Sequence, residues 1–244
     1  MNSKLEGRVA LVTGASRGLG RAMAISLGEL GMPVAVNYCT DAAAAAEVVQ
    51  RIRSAGGRAQ AFAADCADKQ AVDAMVEAIA RDLGAVDVLV ANAGIGMRAD
   101  LFASTQEQWR RTMAVNAEGA FLCTRAVAAG MRERGFGRLV YLSSIAARVG
   151  GVISPAYAAS KAAVEGLMHY CATHLLKHGI TSNAVSPAFI ETDMMRGAPM
   201  PPVEQMPLGR MGQPEEMGPV LEMILRSPYL TGQTIHLNAG RYQT

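Results

Sequence analysis

The sequence predicts an α/β fold, a doubly wound parallel sheet of about seven strands with helices on both faces. Three observations carry this. Short β-branched apolar runs alternate with longer helix-period segments along the whole chain. The strands are apolar throughout rather than at every second residue, the pattern of strands covered on both faces. No composition shift or Ser/Pro-rich linker divides the 244 residues, so residues 1–244 are expected to form a single domain around one such sheet.

In order, Arg8 to Thr13 reads as a buried strand, Gly18 to Leu30 as a helix and Pro33 to Tyr38 as a second strand. A helix opens in the alanine run from Ala42 and reaches Ala55, Arg58 to Ala64 is the third strand, and Lys69 to Leu83 is the third helix. Val86 to Ala91 is the fourth strand. One long helix follows from Gln106 to Arg132, then strand Gly137 to Ser143, helix Pro155 to Lys177, strand Ile180 to Ser186 and a closing strand near Thr234 to Leu237. Pro199, Pro201, Pro202 and Pro207 fall within Ala198 to Pro207, which forbids a regular helix there and predicts a proline-rich substrate loop at about 194–210. Pro219 is expected to interrupt the start of the next helix.

Composition excludes several classes. The chain has 23 basic and 21 acidic residues, a formal charge of +2, and no basic stripe, which argues against a nucleic-acid or membrane partner. No apolar run approaches the length of a membrane span and Met1 to Arg8 is polar, so a cytoplasmic protein is expected. Cys39, Cys66, Cys123 and Cys171 form no CxxC pair and read as small buried hydrophobes. His174 and His178 share a helix face but lack the glutamate and further ligands of a metal site, so no metal is expected.

Between the first strand and first helix lies Thr13-Gly14-Ala15-Ser16-Arg17-Gly18-Leu19-Gly20. Glycines there let the backbone turn sharply and approach a pyrophosphate, whose charge the helix N-terminus stabilises. This placement predicts a Rossmann-type dinucleotide site here. At the end of the second strand an acidic residue would hold the ribose hydroxyl of NAD. Asn37 and Tyr38 stand there instead, and Arg17 supplies a guanidinium suited to a phosphate, so NADP(H) is favoured over NAD(H). Asp41 is the acidic residue next along, with capping of the following helix as its alternative role.

Tyr157 and Lys161 are four residues apart on a helix and project from one face. A free phenol titrates near about 10, and a neighbouring ammonium is expected to lower that value and ready Tyr157 for acid–base work. Ser143 or Ser144 ends the fifth strand, where open α/β sheets bind ligands, and a hydroxyl there can support charge developing on a carbonyl oxygen.

The chain resembles the short-chain dehydrogenase/reductase family. The resemblance rests on the TGxxxGxG segment from Thr13, Asp65 after strand three, Asn92-Ala93-Gly94 after strand four, Asn116 in the long helix, Ser144, Tyr157-Ala-Ala-Ser-Lys161, and Pro187 with Thr192 after strand six. Val36-Asn37-Tyr38, Phe121 to Thr124, Ile190 to Met194 and Tyr229 to Thr234 are similar to phrases of its 3-oxoacyl-[acyl-carrier-protein] reductases. The resemblance implies a catalytic set of Asn116, Ser144, Tyr157 and Lys161, and it selects Ser144 over Ser143. Asn116 would hold a water linking Lys161 to solvent. For the cofactor it implies Gly14, Ser16, Arg17, Gly18, Leu19 and Gly20 at the phosphates, Asn37 and Tyr38 at the adenosine ribose, Asp65 and Cys66 at the adenine, and Asn92 and Gly94 along the cleft. Tyr157 and Lys161 would reach the nicotinamide ribose, and Pro187, Ile190 and Thr192 the nicotinamide pocket.

The implied activity is NADPH-dependent reduction of a ketone, foremost a 3-oxoacyl thioester of acyl carrier protein or CoA. The alternative is an NAD(P)-dependent dehydrogenase of an alcohol, sugar or sterol, and a third reading is a non-catalytic NADP-binding regulator. Ala188 departs from the family's Pro-Gly pair. Arg132, Arg134 and His178 offer a weaker or shifted basic surface for a carrier protein. A homotetramer built from the two long helices and the last strand is also implied.

Overall fold

In the computed structural model, which describes residues 5–243 apart from 198, 200, 201, 203 and 205, seven strands pair in parallel. They are β1 (Val9–Val12), β2 (Val34–Tyr38), β3 (Ala59–Ala63), β4 (Val86–Ala91), β5 (Gly137–Leu142), β6 (Ile180–Pro187) and β7 (Thr234–Leu237). The sheet order is β3-β2-β1-β4-β5-β6-β7. The winding direction reverses between β1 and β4, which opens a crevice at their C-terminal ends.

The helices are α1 (Gly18–Glu29), α2 (Ala42–Ser54), α3 (Lys69–Asp82), α4 (Gln106–Met113), α5 (Gly119–Arg134), α6 (Ala146–Val149), α7 (Pro155–Leu175) and α8 (Met217–Arg226). Strand alternation divides the core into two layers. Leu11, Ala35, Leu89 and Tyr141 face α3, α5 and α7, meeting Val72, Met75, Val127 and Met168. Ala10, Val12, Val34 and Val36 face α1, α2 and α8, meeting Met23, Leu27, Val48 and Leu221. A strand apolar on both sides is therefore what each layer demands, and the sequence supplies it.

The structure corrects four expectations. The long helix is interrupted by a π-helical turn at Ala114–Glu118, between α4 and α5. Pro219 does not interrupt α8, because it lies in the first turn, where a backbone N–H would have no helical partner anyway. Cys39, beyond the end of β2, is exposed, whereas Cys66, Cys123 and Cys171 are buried. Arg134 is not a free surface cation, since it donates to Asp87 Oδ1 at 3.1 Å and to the Val86 carbonyl at 2.6 Å. Within the proline-rich segment, Ala198 and Pro201 lie outside the described residues, and the described part begins with a 3-10 turn at Asp193–Met195. Among the described residues no helix is long and apolar enough to cross a membrane.

Candidate active site

The crevice is built first from the loop after β1. Thr13 Oγ1 accepts from the amides of Asn92 and Ala93, each at 2.9 Å, and Asn92 Nδ2 returns bonds to the carbonyls of Thr13 and Gly14 at 2.8 and 3.1 Å. These bonds lock the ends of β1 and β4 together. A side chain at Gly20 would lie 2.3 Å from the Gly14 carbonyl and 2.5 Å from Asn92 Nδ2, and Gly14 itself has φ +61° with Ala93 Cα 2.9 Å from its Cβ position. Both glycines are thus required by close backbone approach.

The start of α1 differs from its neighbours. Asp41, Asp68, Thr105 and Ser154 cap α2, α3, α4 and α7 with their side chains, but Arg17 is extended and gives α1 no side-chain cap. Asp41 therefore does take the capping role. The first N–H groups of α1 are left for an anionic ligand, which is the fit a pyrophosphate needs. Ser16 presents its carbonyl to Arg21, which donates through Nε and Nη2 at 3.1 and 2.9 Å. Gly18 faces Thr192, whose Cγ2 is 3.6 Å from the Gly18 Cβ position, while Leu19 packs into the α1 layer of the core. Beside them a cleft of about 310 Å³ is lined by Arg17, Arg21, Arg51 and Arg196, and also by Glu191, Asp193 and Glu215.

Asn37 is placed differently from the expectation of ribose contact. Its side chain is buried and spent within the protein. Oδ1 accepts from Gly14 N at 3.0 Å and Cys66 Sγ at 3.4 Å, while Nδ2 donates to the carbonyls of Tyr38, Phe62 and Ala64 at 3.2 to 3.3 Å. Alternation along β2 explains it: Asn37 points to the face opposite Val36 and Tyr38, and there it braces the glycine loop against the β3 end. Tyr38, half-buried, packs against the α1, α2 and α8 layer of the core. Cys66 is a buried thiol against Cys123, whose hydrogen bond, with burial, pushes its pKa well up.

Asp65 is also engaged. Oδ1 accepts from Ala67 N at 2.9 Å and Oδ2 pairs with Arg111 of α4 at 2.9 Å. The Ala67 amide holds its pKa below the ordinary carboxylate value; burial pushes it up by less, and Arg111 adds to the lowering. The cap of α3 is Asp68 rather than Asp65.

The polar centre lies one strand further on. Ser144, half-buried after β5, lies near enough to the buried phenol of Tyr157 for its hydroxyl to pull the phenol pKa down, and its Oγ accepts from Ala146 N at 3.2 Å. Ala146 and Ile153 form the apolar wall around Tyr157. Lys161, one turn along α7, is buried and donates from Nζ to the Leu142 carbonyl at 2.6 Å, with Nζ 5.7 Å from the centroid of the Tyr157 ring. The expected lowering of the phenol pKa is not what the structure gives. Burial raises it, only the nearby Ser144 hydroxyl opposes that, and burial also lowers Lys161 to about 8. Both groups have lost water, and the ammonium is turned toward a carbonyl rather than the phenol oxygen.

Asn116 sits in the π-helical turn. Its Oδ1 accepts from Ile95 N at 2.8 Å, and Nδ2 donates to Ile95 O and Ser160 Oγ, each at 3.0 Å. A Cβ on Gly94 would lie 3.3 Å from Asn116 Oδ1 and 3.6 Å from Lys161 Nζ, so both polar groups border the space that this glycine leaves open. Pro187 closes β6 and accepts from Ile145 N at 3.1 Å, and Ile190 is fixed by a parallel bridge to Gly212. Sequence reasoning missed Arg21, Ser160 and the Leu142 carbonyl. Arg21 could have been found as a cation one turn into the uncapped helix; the other two carry no sequence signal.

An uncapped helix behind a glycine loop and a Ser–Tyr–Lys centre across the same crevice define an NAD(P)-dependent oxidoreductase. The chain belongs to the short chain dehydrogenase family, whose pattern matches residues 8–200. It is 40% identical over 240 residues, 97% of either chain, to a 3-oxoacyl-[acyl-carrier-protein] reductase of Synechocystis sp.. It is 38% identical over 239 residues, 96% of this chain and 97% of the other, to 3-oxoacyl-[acyl-carrier-protein] reductase FabG of Staphylococcus aureus. The crystal structure of a gluconate 5-dehydrogenase from Burkholderia cenocepacia, in complex with NADP and tartrate, is similar at a TM-score of 0.90 and 31% identity, covering 97% of this chain and 96% of that one.

Proposed function

We propose that this enzyme is an NADPH-dependent ketoreductase that converts a 3-oxoacyl thioester to its 3-hydroxyacyl product. The observation that carries the reading is Tyr157 buried with Ala146 and Ile153, with the Ser144 hydroxyl beside its phenol and Lys161 one turn further along α7. A carbonyl oxygen set between Ser144 and Tyr157 would have its acyl chain against Ala146 and Ile153. The nicotinamide, when bound, supplies the hydride for the carbonyl carbon. Ser144 donates a hydrogen bond to the carbonyl oxygen and supports the charge developing there. Tyr157 gives that oxygen its proton, although burial raises its pKa and only the Ser144 hydroxyl opposes that rise. Lys161, cationic below about pH 8, stabilises the phenolate left behind. Asn116 fixes the backbone of Ile95 beside Lys161 and borders the space through which the proton is replaced.

Preference for NADPH rests on Arg17, exposed at the cleft, together with the lack of an acidic group at Asn37 and Tyr38. The proline-rich loop at 194–210 selects the substrate. A carrier protein would meet Arg132, which is exposed, with no help from Arg134. A homotetramer is supported by the exposed apolar side chains Phe121 on α5 and Tyr170 on α7, and by β7 at the edge of the sheet.

The test is a rate comparison of NADPH and NADH oxidation with acetoacetyl-carrier protein and acetoacetyl-CoA, alongside NADP reduction with gluconate. The proposal expects NADPH-linked thioester reduction that weakens about tenfold in Arg17→Ala, roughly the loss of one charge-assisted bond. Gluconate oxidation without thioester reduction would overturn it.

A further inference from the structure

Glu165 is a buried carboxylate on the active-site face of α7 that the chemistry above does not use. It follows Tyr157 and Lys161 at the same four-residue spacing, so the three share one stripe of the helix. Burying a carboxylate costs several kcal/mol unless its oxygens are well paired, and at 4% exposure Glu165 is paired on both. Oε1 accepts from Ser143 Oγ at 2.7 Å, and Oε2 pairs with Arg148 Nη2 at 2.6 Å. Ser143 Oγ also lies 3.4 Å from the Lys161 carbonyl, and its amide continues the β5–β6 ladder by donating to Val185 O at 2.9 Å.

The sequence positions of the two partners matter most. Ser143 immediately precedes Ser144, and Arg148 belongs to α6, which begins two residues after it. One carboxylate therefore fastens both ends of the segment that carries Ser144, and does so from the helix that carries Tyr157. We infer that Glu165 is a positioning residue that holds Ser144 in register with Tyr157 by gripping Ser143 on one side and Arg148 on the other. The inference rests on the proposed role of Ser144 and Tyr157 in reducing a carbonyl.

Geometry predicts the effect. A displacement of roughly 1 Å at a reacting group costs about a hundredfold in rate, so Glu165→Ala is expected to lower kcat by about 10- to 100-fold with KM and NADPH affinity within about twofold. Glu165→Gln keeps an acceptor for Ser143 and is expected to recover most of kcat. Ser143→Ala combined with Glu165→Ala is expected to cost no more than the larger single loss, because both act through one contact.

A readout independent of turnover separates this inference from the functional reading. With 13Cζ-labelled tyrosine, and Tyr157 assigned by its absence in Tyr157→Phe, the Tyr157 signal reports the surroundings of its phenol, the Ser144 hydroxyl among them. It is expected to move in Glu165→Ala and to stand near the wild-type position in Glu165→Gln. An unmoved signal in Glu165→Ala overturns the inference even if no substrate is turned over. So does a loss of kcat that Gln fails to rescue, or one matched by an equal loss of NADPH affinity, which marks general damage to the fold. A wild-type enzyme inactive on every carbonyl tested, with the Tyr157 signal responding as expected, would instead count against the proposed function alone.

Discussion

Replacing Lys161 by methionine separates what this side chain does for the reaction from what it does to the fold. Lys161 is buried, and its pKa falls from 10.5 to about 8 because burial disfavours the charged form. Below pH 8 the side chain is protonated in both folded and unfolded chains, so the folded state bears the full penalty, about 3 kcal/mol at 1.36 kcal/mol per unit. Between pH 8 and 10.5 the unfolded chain binds more protons than the folded one, so stability rises with pH and the penalty fades. Methionine keeps the unbranched stem but leaves Leu142 O without its donor, a loss of about 1 to 2 kcal/mol. Lys161→Met is therefore expected to be about 1 to 2 kcal/mol more stable than wild type at pH 7. By pH 9.5 the wild type regains about 2 kcal/mol and the difference closes or reverses. Urea unfolding of the cofactor-free proteins at the two pH values measures this. A difference that does not change with pH, or a wild type that is the more stable at pH 7, refutes the reasoning.

Two further substitutions test the cofactor cleft. Gly20→Ala places a methyl 2.3 Å from the Gly14 carbonyl, where rigid backbone cannot yield, and is expected to abolish NADPH binding in a fluorescence titration. Asn37→Leu leaves Gly14 N and the carbonyls of Phe62 and Ala64 without their partner, and is expected to cost about 2 to 4 kcal/mol in urea unfolding. It should also weaken NADPH at least about tenfold, since the glycine loop loses its brace, the lower end of what a misplaced binding group costs.

Much of this architecture was legible because the physics that dictates it is local. Runs such as Val86 to Ala91 are apolar on both faces, and only a covered parallel strand uses both. Tyr157 and Lys161 follow from helix periodicity, and the glycine loop follows from where a backbone must approach a phosphate. What was not legible depends on contacts between distant segments. Asn37 reads as a residue at the ligand because β2 ends there, yet the bonds that consume it come from the glycine loop at Gly14 and from the end of β3 at Phe62 and Ala64. The π-helical turn that carries Asn116 has no pattern of its own, since one extra residue per turn leaves the apolar spacing of α4 and α5 intact on either side. Lys161 was read as an ammonium aimed at a phenol, whereas the Leu142 carbonyl of a neighbouring strand captures it. Arg134 looked like surface charge until β4 brought Asp87 beside it.

The account turns on Tyr157 as the proton donor to the carbonyl oxygen. Initial rates of NADPH oxidation with an acetoacetyl thioester, compared between wild type and Tyr157→Phe, test it most directly, with NADPH affinity measured on both proteins. The expected result is a fall in kcat of at least about a hundredfold, the lower range for a lost acid–base group, with affinity for NADPH changed by no more than about twofold. Equal rates in the two proteins would contradict the account.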